Sequence, residues 1–452
     1  MEATTLKALL RHNNQVPRYT SYPTAPHFSD AVDGKTVTSW LSTLESDTNL
    51  SLYFHVPFCK KICWYCGCHT KATEKYDPVA SFVSYLKKEI ELTASKLSAS
   101  PSVTHIHFGG GSPSYLQPDD FSDIMNTVRK HFKIAHNCEI AIEMDPREIT
   151  EPKVAAYAQA GVNRASLGVQ DFHKDTQKAI NRLQPLHVVF ECVSLLRSYE
   201  INNISVDLLY GLPHQTIESI RENVRIAAGL SPERISLFGY AHVPWMKKHM
   251  QLINEDSLPD GKQRLLQFEA ARKALLEKSY IQIGLDHFVQ PQDSMALSYL
   301  TGDLKRNFQG YTTDKAPALI GFGPSAISSV PQGYYQNTPN NRDYYRALDE
   351  GKLHIAKGLE LSEDDKARRA IIEHIMCYQK IDVARFCLEH GINHASLGDY
   401  MAELAPLIAD GLVEMRGTEI RIKADAAQVS RIVCAAFDAY IQPQAARHSQ
   451  VA

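Results

Sequence analysis

The feature that most constrains the fold is a regular alternation of short β-rich runs with longer amphipathic stretches. SLYFHV (51–56), VTHIHF (103–108), CEIAIEM (138–144), RASLGV (164–169), ISVDLLY (204–210) and RISLFGY (234–240) read as strands. Helical patterns near 77–97, 118–132, 151–160, 185–200, 216–229 and 261–279 separate or follow them. Strands alternating with helices imply βαβ units and a parallel sheet, with functional groups gathered at the carboxyl ends of the strands. Six repeats fit a complete or a partial α/β barrel, and the pattern does not decide its closure. Residues 281–340, rich in Gly, Pro and Tyr, read as the barrel's final strands and long loops.

From about residue 360 the character changes. SEDDKARRAIIEHIMCYQKID, DYMAELAPLIADGL and ADAAQVSRIVCAAFDAYI are amphipathic helical patterns, and VEMRGTEIRIKA reads as a small hairpin around Gly417. The expected division is a lead-in over 1–45, a barrel over 46–350 and a mostly helical carboxyl-terminal domain over 351–452. Within the lead-in, PRYTSYPTAPHF is too rich in proline to be a helix. A chain of 452 residues exceeds what one simple core supports, which agrees with such a division.

Composition excludes several classes. Hydrophobic residues at 44% and charged residues at 22% are ordinary for a globular chain. A net charge of −3 lends no support to nucleic-acid binding. No run approaches the roughly 18 apolar residues of a membrane helix. The opening MEATTLKALLRHNNQV lacks the apolar stretch of a secretion signal, so a cytoplasmic location is expected.

The cysteines carry the chemistry. There are nine, an odd number, which argues against a disulfide framework. Cys138, Cys192, Cys377, Cys387 and Cys434 sit among apolar neighbours and read as small buried hydrophobes. Cys59, Cys63, Cys66 and Cys68 instead crowd into ten residues after a strand. Thiolates bind soft metals, so the choice lies between zinc and an iron–sulfur cluster. Structural zinc usually draws two pairs of ligands from separate knuckles, and no second pair is present. Three cysteines around a [4Fe–4S] cluster would leave one iron open to an external ligand. Spacing favours the cluster without excluding zinc.

HVPFCKKICWYCGC resembles the CxxxCxxC loop of radical S-adenosylmethionine (SAM) enzymes, with Tyr65 before the third cysteine. The added Cys68, together with PRYTSYPTAPHF, HFGGGSPSYL, IEMDPREI, GVQDF, VDLLYGLP, DHFVQP and RNFQGYTT, is similar to the oxygen-independent coproporphyrinogen III oxidase family over essentially the whole chain. The resemblance implies a partial barrel of radical SAM type. It further implies a [4Fe–4S] cluster held by Cys59, Cys63 and Cys66, with one SAM on the open iron and a second SAM beside it. By match of motifs, Tyr53, Gly110, Glu143 and Ile327 would contact the first SAM. Tyr65, Gly111, Ser112, Gln170, Arg182, Asp207 and Ala241 would surround the second. Cys68 and Tyr53 are the candidates for a catalytic part.

Read alone, most of these residues have plainer explanations. The Gly109–Gly111 run could be a tight turn, Glu143 and Asp207 could be salt-bridging acids, and Asp145 before Pro146 fits a helix cap. Tyr53 and Ile327 would pass as core. The implied substrate carries four propionates, so cations around an apolar, aromatic-lined cavity are expected. Arg18, Tyr19, His287 and Arg306 are the candidates, with the lead-in as a lid that excludes water and oxidants.

The activity implied is anaerobic oxidative decarboxylation of two propionates of coproporphyrinogen III to vinyl groups through a 5′-deoxyadenosyl radical. A flavodoxin or ferredoxin would supply electrons, and the chain would act as a monomer without nucleic-acid or membrane partners. Two relatives on similar barrels are rivals: a haem-binding chaperone and a haem-degrading methyltransferase. The chaperones usually lack both the Cys68 position and the PRYTSYP segment, which are present here.

Overall fold

A computed structural model describes residues 2–12 and 16–441. The outermost residues of the lead-in and carboxyl-terminal divisions, and 13–15, therefore lie outside the described residues. The six expected strands form, as β1 (Asn49–Val56), β2 (Ser102–Gly110), β3 (Lys133–Met144), β4 (Arg164–Gln170), β5 (Asn203–Tyr210) and β6 (Arg234–Gly239). The six helices follow, as α1 (Asp77–Ala94), α2 (Pro118–His131), α3 (Glu151–Gln159), α4 (Leu186–Ser198), α5 (Ile217–Gly229) and α6 (Gly261–Glu277). Local chemistry sets several of their ends. Thr216 with Ser219, and Asp260 with Gln263, form reciprocal capping boxes at the starts of α5 and α6.

Alternation along the strands builds the two faces of the sheet. On β1, Leu50, Leu52, Phe54 and Val56 are essentially inaccessible and join the main core, which also takes in Val79, Phe82 and Leu86 of α1. The intervening positions are polar: Ser51 aligns with His105 on β2, which aligns with Glu139 on β3. Arg164 on β4, Ser205 on β5 and Ser236 on β6 line the same interior. Apolar residues thus face the helices, while polar ones face the concave side.

The barrel is open. β1 to β6 are successive parallel neighbours, but β6 pairs with an antiparallel ribbon rather than returning to β1. That ribbon comprises β7 (Ile281–Ile283) and β8 (His287–Val289). On the far side of β1 lies β9 (Ala318–Phe322), also parallel, followed by antiparallel β10 (Ile327–Val330), β11 (Gly333–Asn337) and β12 (Ile355–Glu360). The segment 281–340 does supply final strands, but they extend both edges instead of closing the ring. The main sheet continues past residue 350 through β12.

Two further departures concern the ends. The lead-in contains helices Ala3–Arg11 and Gly34–Ser42, and the proline-rich stretch between them has only the short turn Ala25–His27. Val37, Trp40 and Leu41 join the main core, whereas Ala8, Leu9, Tyr19 and Tyr22 pack with Ile371, Leu404 and Phe437 in a second core. The carboxyl-terminal region adds α7 (Glu363–Tyr378) and helix Tyr400–Ala409 as expected. The hairpin Val413–Arg416 and Glu419–Ile422 is joined by Lys380–Asp382 into a three-stranded sheet. The last amphipathic pattern is helical only in the short pieces Ala424–Val429 and Ser430–Ala435. No helix among the described residues is long and apolar enough to cross a membrane.

Candidate functional site

The loop after β1 brings its cysteines to the carboxyl end of the sheet, over a cavity of about 390 Å³. Twelve of the expected site residues line this one space: Cys59, Cys63, Cys66, Cys68, Tyr65, Gly110, Gly111, Ser112, Glu143, Gln170, Arg182 and Asp207. Among the described residues no three His, Cys, Asp or Glu side chains are set to hold a single metal ion.

Each sulfur has its own surroundings. Thr70 Oγ1 donates to Cys59 Sγ at 3.2 Å. Burial nonetheless pushes the Cys59 thiol up to about 12. The Cys66 thiol is pushed down, chiefly by the hydrogen bond from the Cys68 thiol. His249 Nε2 lies 2.7 Å from the Cys66 carbonyl, and Lys247 Nζ donates to that of Cys68 at 2.9 Å. Near Cys63 stand two guanidiniums, with Arg182 Nη1 at 3.5 Å and Arg147 Nη2 at 3.9 Å from its sulfur. Cationic donors of this kind stabilise charge on a thiolate or on cluster sulfur.

Asp145 ties those guanidiniums together. Its carboxylate accepts from Arg182 Nη1 at 3.0 Å and from Arg147 Nη2 at 2.6 Å. Burial works against ionisation there, but Arg182 and Arg147 hold the carboxyl down to about 2. It also accepts the Arg147 backbone N–H, so the capping role expected of it is real but partial. Arg182 donates to the Gly168 carbonyl, while its buried Nε has no partner among the described residues.

The glycine run lines the cavity and packs closely on β1 and the cysteine loop. Gly110 has φ +109°, which favours glycine, and a Cβ there would lie 2.6 Å from the His55 ring. A Cβ on Gly111 would meet Thr70 Oγ1 at 2.4 Å and the Phe58 carbonyl at 2.7 Å. Glu143 accepts from the Gly110 N–H at 3.3 Å and lies 3.0 Å from His107 Nε2. Asp207, deeper in the barrel, is pushed up to about 6 by burial and by the nearby Glu143.

This chamber fits the group its motif implies. It offers three sulfur donors in the expected spacing, glycine backbone along one wall, two carboxylates for amine or hydroxyl groups, and one buried unpartnered donor.

The remaining expected residues fall elsewhere. Tyr53 lies on β1 with its hydroxyl 3.1 Å from His55 Nδ1, stacked on His107 rather than lining the cysteine cavity. Ile327 packs near Phe28, Tyr334 and Leu361. Ala241, Arg18, His287 and Arg306 line a neighbouring cavity of about 480 Å³. Tyr19 faces a third space with Arg306, and its hydroxyl donates to Asp438 Oδ2 at 2.9 Å.

The neighbouring cavity is aromatic and cationic. Tyr210, Phe238, Tyr240, Phe268 and Phe308 line it together with Arg18, Arg264, Arg306 and Arg431. Arg264 and Arg431 were not among the expected residues, nor were Thr70 and Arg147 beside the sulfurs. Arg431 carried a signal as a lone charge directly before the apolar run IVCAAF; Arg264 in KQRLLQ carried none. The two cavities share walls through the barrel interior, which meets the first at Glu143, Ser166 and Asp207 and the second at Phe238, His287 and Gln309.

The chain resembles known proteins along most of its length. The Radical SAM superfamily model matches residues 53–227. The oxygen-independent coproporphyrinogen III oxidase of Bradyrhizobium diazoefficiens is 46% identical over 436 residues, covering 96% of this chain and 97% of its own. That of Paracoccus denitrificans is 39% identical, with 94% of both chains covered. The solved coproporphyrinogen III oxidase of Escherichia coli, a radical SAM enzyme, superposes with a TM-score of 0.89 at 34% identity, over 95% of this chain and all of that one.

Proposed function

This chain belongs to the oxygen-independent coproporphyrinogen III oxidases of the radical SAM superfamily, and from that premise we propose how its two cavities divide the work. The reaction is anaerobic oxidative decarboxylation of two propionate side chains of coproporphyrinogen III to vinyl groups, giving protoporphyrinogen IX in haem biosynthesis. The readings as haem-binding chaperone and as haem-degrading methyltransferase are not favoured, because the full-length relatives are oxidases. The observation that carries the proposal is the meeting of a four-thiol chamber with a four-arginine chamber across one shared interior.

Cys59, Cys63 and Cys66 hold the [4Fe–4S] cluster. When bound, cluster and SAM supply a 5′-deoxyadenosyl radical able to take a β-hydrogen atom from a propionate. Gly110 and Gly111 let SAM approach the backbone, and Glu143 accepts from its amine or ribose hydroxyls. Arg182 and Asp145 fix the second SAM's side of the chamber, with Tyr65, Ser112, Gln170 and Asp207 around it. Ala241 lies in the arginine cavity, so a second SAM touching both Gln170 and Ala241 spans the boundary between the chambers. Tyr53, stacked on His107 next to Glu143, acts through that pair; Ile327 contributes from the far strands. Cys68 remains the catalytic candidate beside the ligands.

The substrate occupies the arginine cavity, where Arg18, Arg306 and His287 meet its carboxylates and the aromatic rings cover its face. Residues 1–45 serve as the lid, 46–350 as the radical SAM unit and 351–452 as its carboxyl-terminal support. Arg431 Nε donates to the Pro17 carbonyl at 3.0 Å and Arg306 Nε to that of Tyr19 at 3.2 Å, fastening the lead-in over the mouth. Exposed Lys60, Lys61, Lys248 and Met246 around the cysteine loop suit an acidic electron carrier such as flavodoxin or ferredoxin. The enzyme works in the cytoplasm as a monomer.

The test is product analysis. Anaerobically reconstituted protein given dithionite, SAM and coproporphyrinogen III should release 5′-deoxyadenosine and carbon dioxide. Deoxyadenosine without carbon dioxide would reject the substrate and leave the radical chemistry standing.

A further inference from the structure

The four guanidiniums of the arginine cavity are not equivalent. Arg306 and Arg431 each donate to lead-in carbonyls, and Arg18 is exposed on the lead-in itself. Arg264 is different. It lies in the first turn of α6, and no described residue accepts a hydrogen bond or forms an ion pair with its side chain.

Its seat is nevertheless built. The guanidinium carbon stands 5.6 Å from the centre of the Tyr210 ring. A Cβ on Gly211, which has φ +82°, would come within 2.3 Å of Arg264 Nη1. A Cβ on Gly239 would come within 3.3 Å of Nη2. Glycines at the ends of β5 and β6 therefore leave the room that the planar group fills. Burial works against its charge, as does nearby Arg18. The one acid lining the cavity among the described residues, Asp286, is engaged 2.8 Å from His287 Nδ1. A half-buried cation without a counter-ion is costly, and an incoming carboxylate relieves that cost through a two-pronged contact.

We propose that Arg264, seated on Tyr210 between Gly211 and Gly239, is a carboxylate subsite that grips a propionate which does not react. The proposal rests on the porphyrinogen reading and deepens it, by naming a specificity-determining residue. Because such a propionate survives in the product, the subsite should recognise substrate and product skeletons alike.

Binding of two oxidised, unreactive porphyrins separates the possibilities. Fluorescence titration of the reconstituted full-length protein would use coproporphyrin III, with four propionates, and protoporphyrin IX, with two. Arg264→Gln should weaken both by about tenfold or more, as expected for loss of a charge-assisted contact. The KM for coproporphyrinogen III should rise in parallel, with kcat changing far less. Arg264→Lys keeps the charge but not the fork, so it should show a smaller loss for both ligands. Unchanged binding of both ligands by Arg264→Gln overturns the subsite. Weakening for coproporphyrin III alone overturns the assignment to a non-reacting propionate. Should the wild-type protein bind porphyrins but fail to release carbon dioxide, the enzymatic reading falls, and the titrations still judge Arg264.

Discussion

The cysteine chamber and the arginine chamber lie side by side in one barrel, yet they are assembled in opposite ways. The first is made from short local pieces of the strand-and-helix repeat: a ten-residue loop, a glycine run and the ends of neighbouring parallel strands. The second collects its cations from positions 18, 264, 306 and 431, on the lead-in, a helix, a hairpin and the carboxyl-terminal region. Chemistry that must be fixed in geometry relies on backbone and short loops. On the proposed reading, recognition of a large polyanion relies on long side chains delivered from distant parts of the chain.

The sharpest break in that contrast comes from the first chamber. Cys63→Ala should bring iron, sulfide and 5′-deoxyadenosine release to background in reconstituted protein, because one sulfur donor of three is gone. Next in size is Gly111→Ala. The added carbon would stand 2.7 Å from the Phe58 carbonyl, a backbone atom with little freedom to yield. SAM affinity, measured by equilibrium dialysis, should fall at least about tenfold, equivalent to about 1.4 kcal/mol.

In the second chamber, effects should be graded and shared with the lid. Arg431→Ala strips donors from the Val16 and Pro17 carbonyls, at a cost of about 1–3 kcal/mol. A lowered Tm together with a raised KM is the expected pair, and a raised KM alone would detach Arg431 from the lid.

The shared wall offers a pH test. Asp207 is pushed up to about 6 by burial, so the folded state binds its proton more tightly than the unfolded chain. Its contribution to folding is therefore favourable at low pH and is lost as pH rises towards and through 6. SAM binding should run the other way, since the ionised carboxylate is the better acceptor. Affinity should climb severalfold between pH 5 and 7, and Asp207→Asn should flatten that climb. Smallest of all, Lys61→Glu should slow turnover a few-fold with a flavodoxin donor and leave the dithionite-driven rate unchanged.

The same division explains what the amino-acid sequence revealed. Strands such as ISVDLLY and the helices between them announce themselves by local periodicity, and Cys59 to Cys68 by spacing. Glu143 and Asp207 could be placed because they stand near the ends of recognisable strands. The open edge could not be read. ALIGF, the core of β9, is buried at every position and carries no alternation. Its place beside β1 is a pairing across more than 250 residues. Lys380–Asp382 is too short to signal that it completes a three-stranded sheet. Arg431 looks like a stray charge in an apolar helix until the carbonyls of residues 16 and 17 are found against it. Arg264 is meaningful only once two glycines at the ends of β5 and β6 are set around it.

The missing seam between β6 and β1 has its own consequence. A closed ring of strands would admit guests only through its rim, one narrow end first. Here the strands stop short of that, and side chains finish the interior instead: Tyr311, Thr312 and Asp314 line it beside Ser51, His105 and His287, so its width is set by residues that can change without breaking a strand of the main sheet.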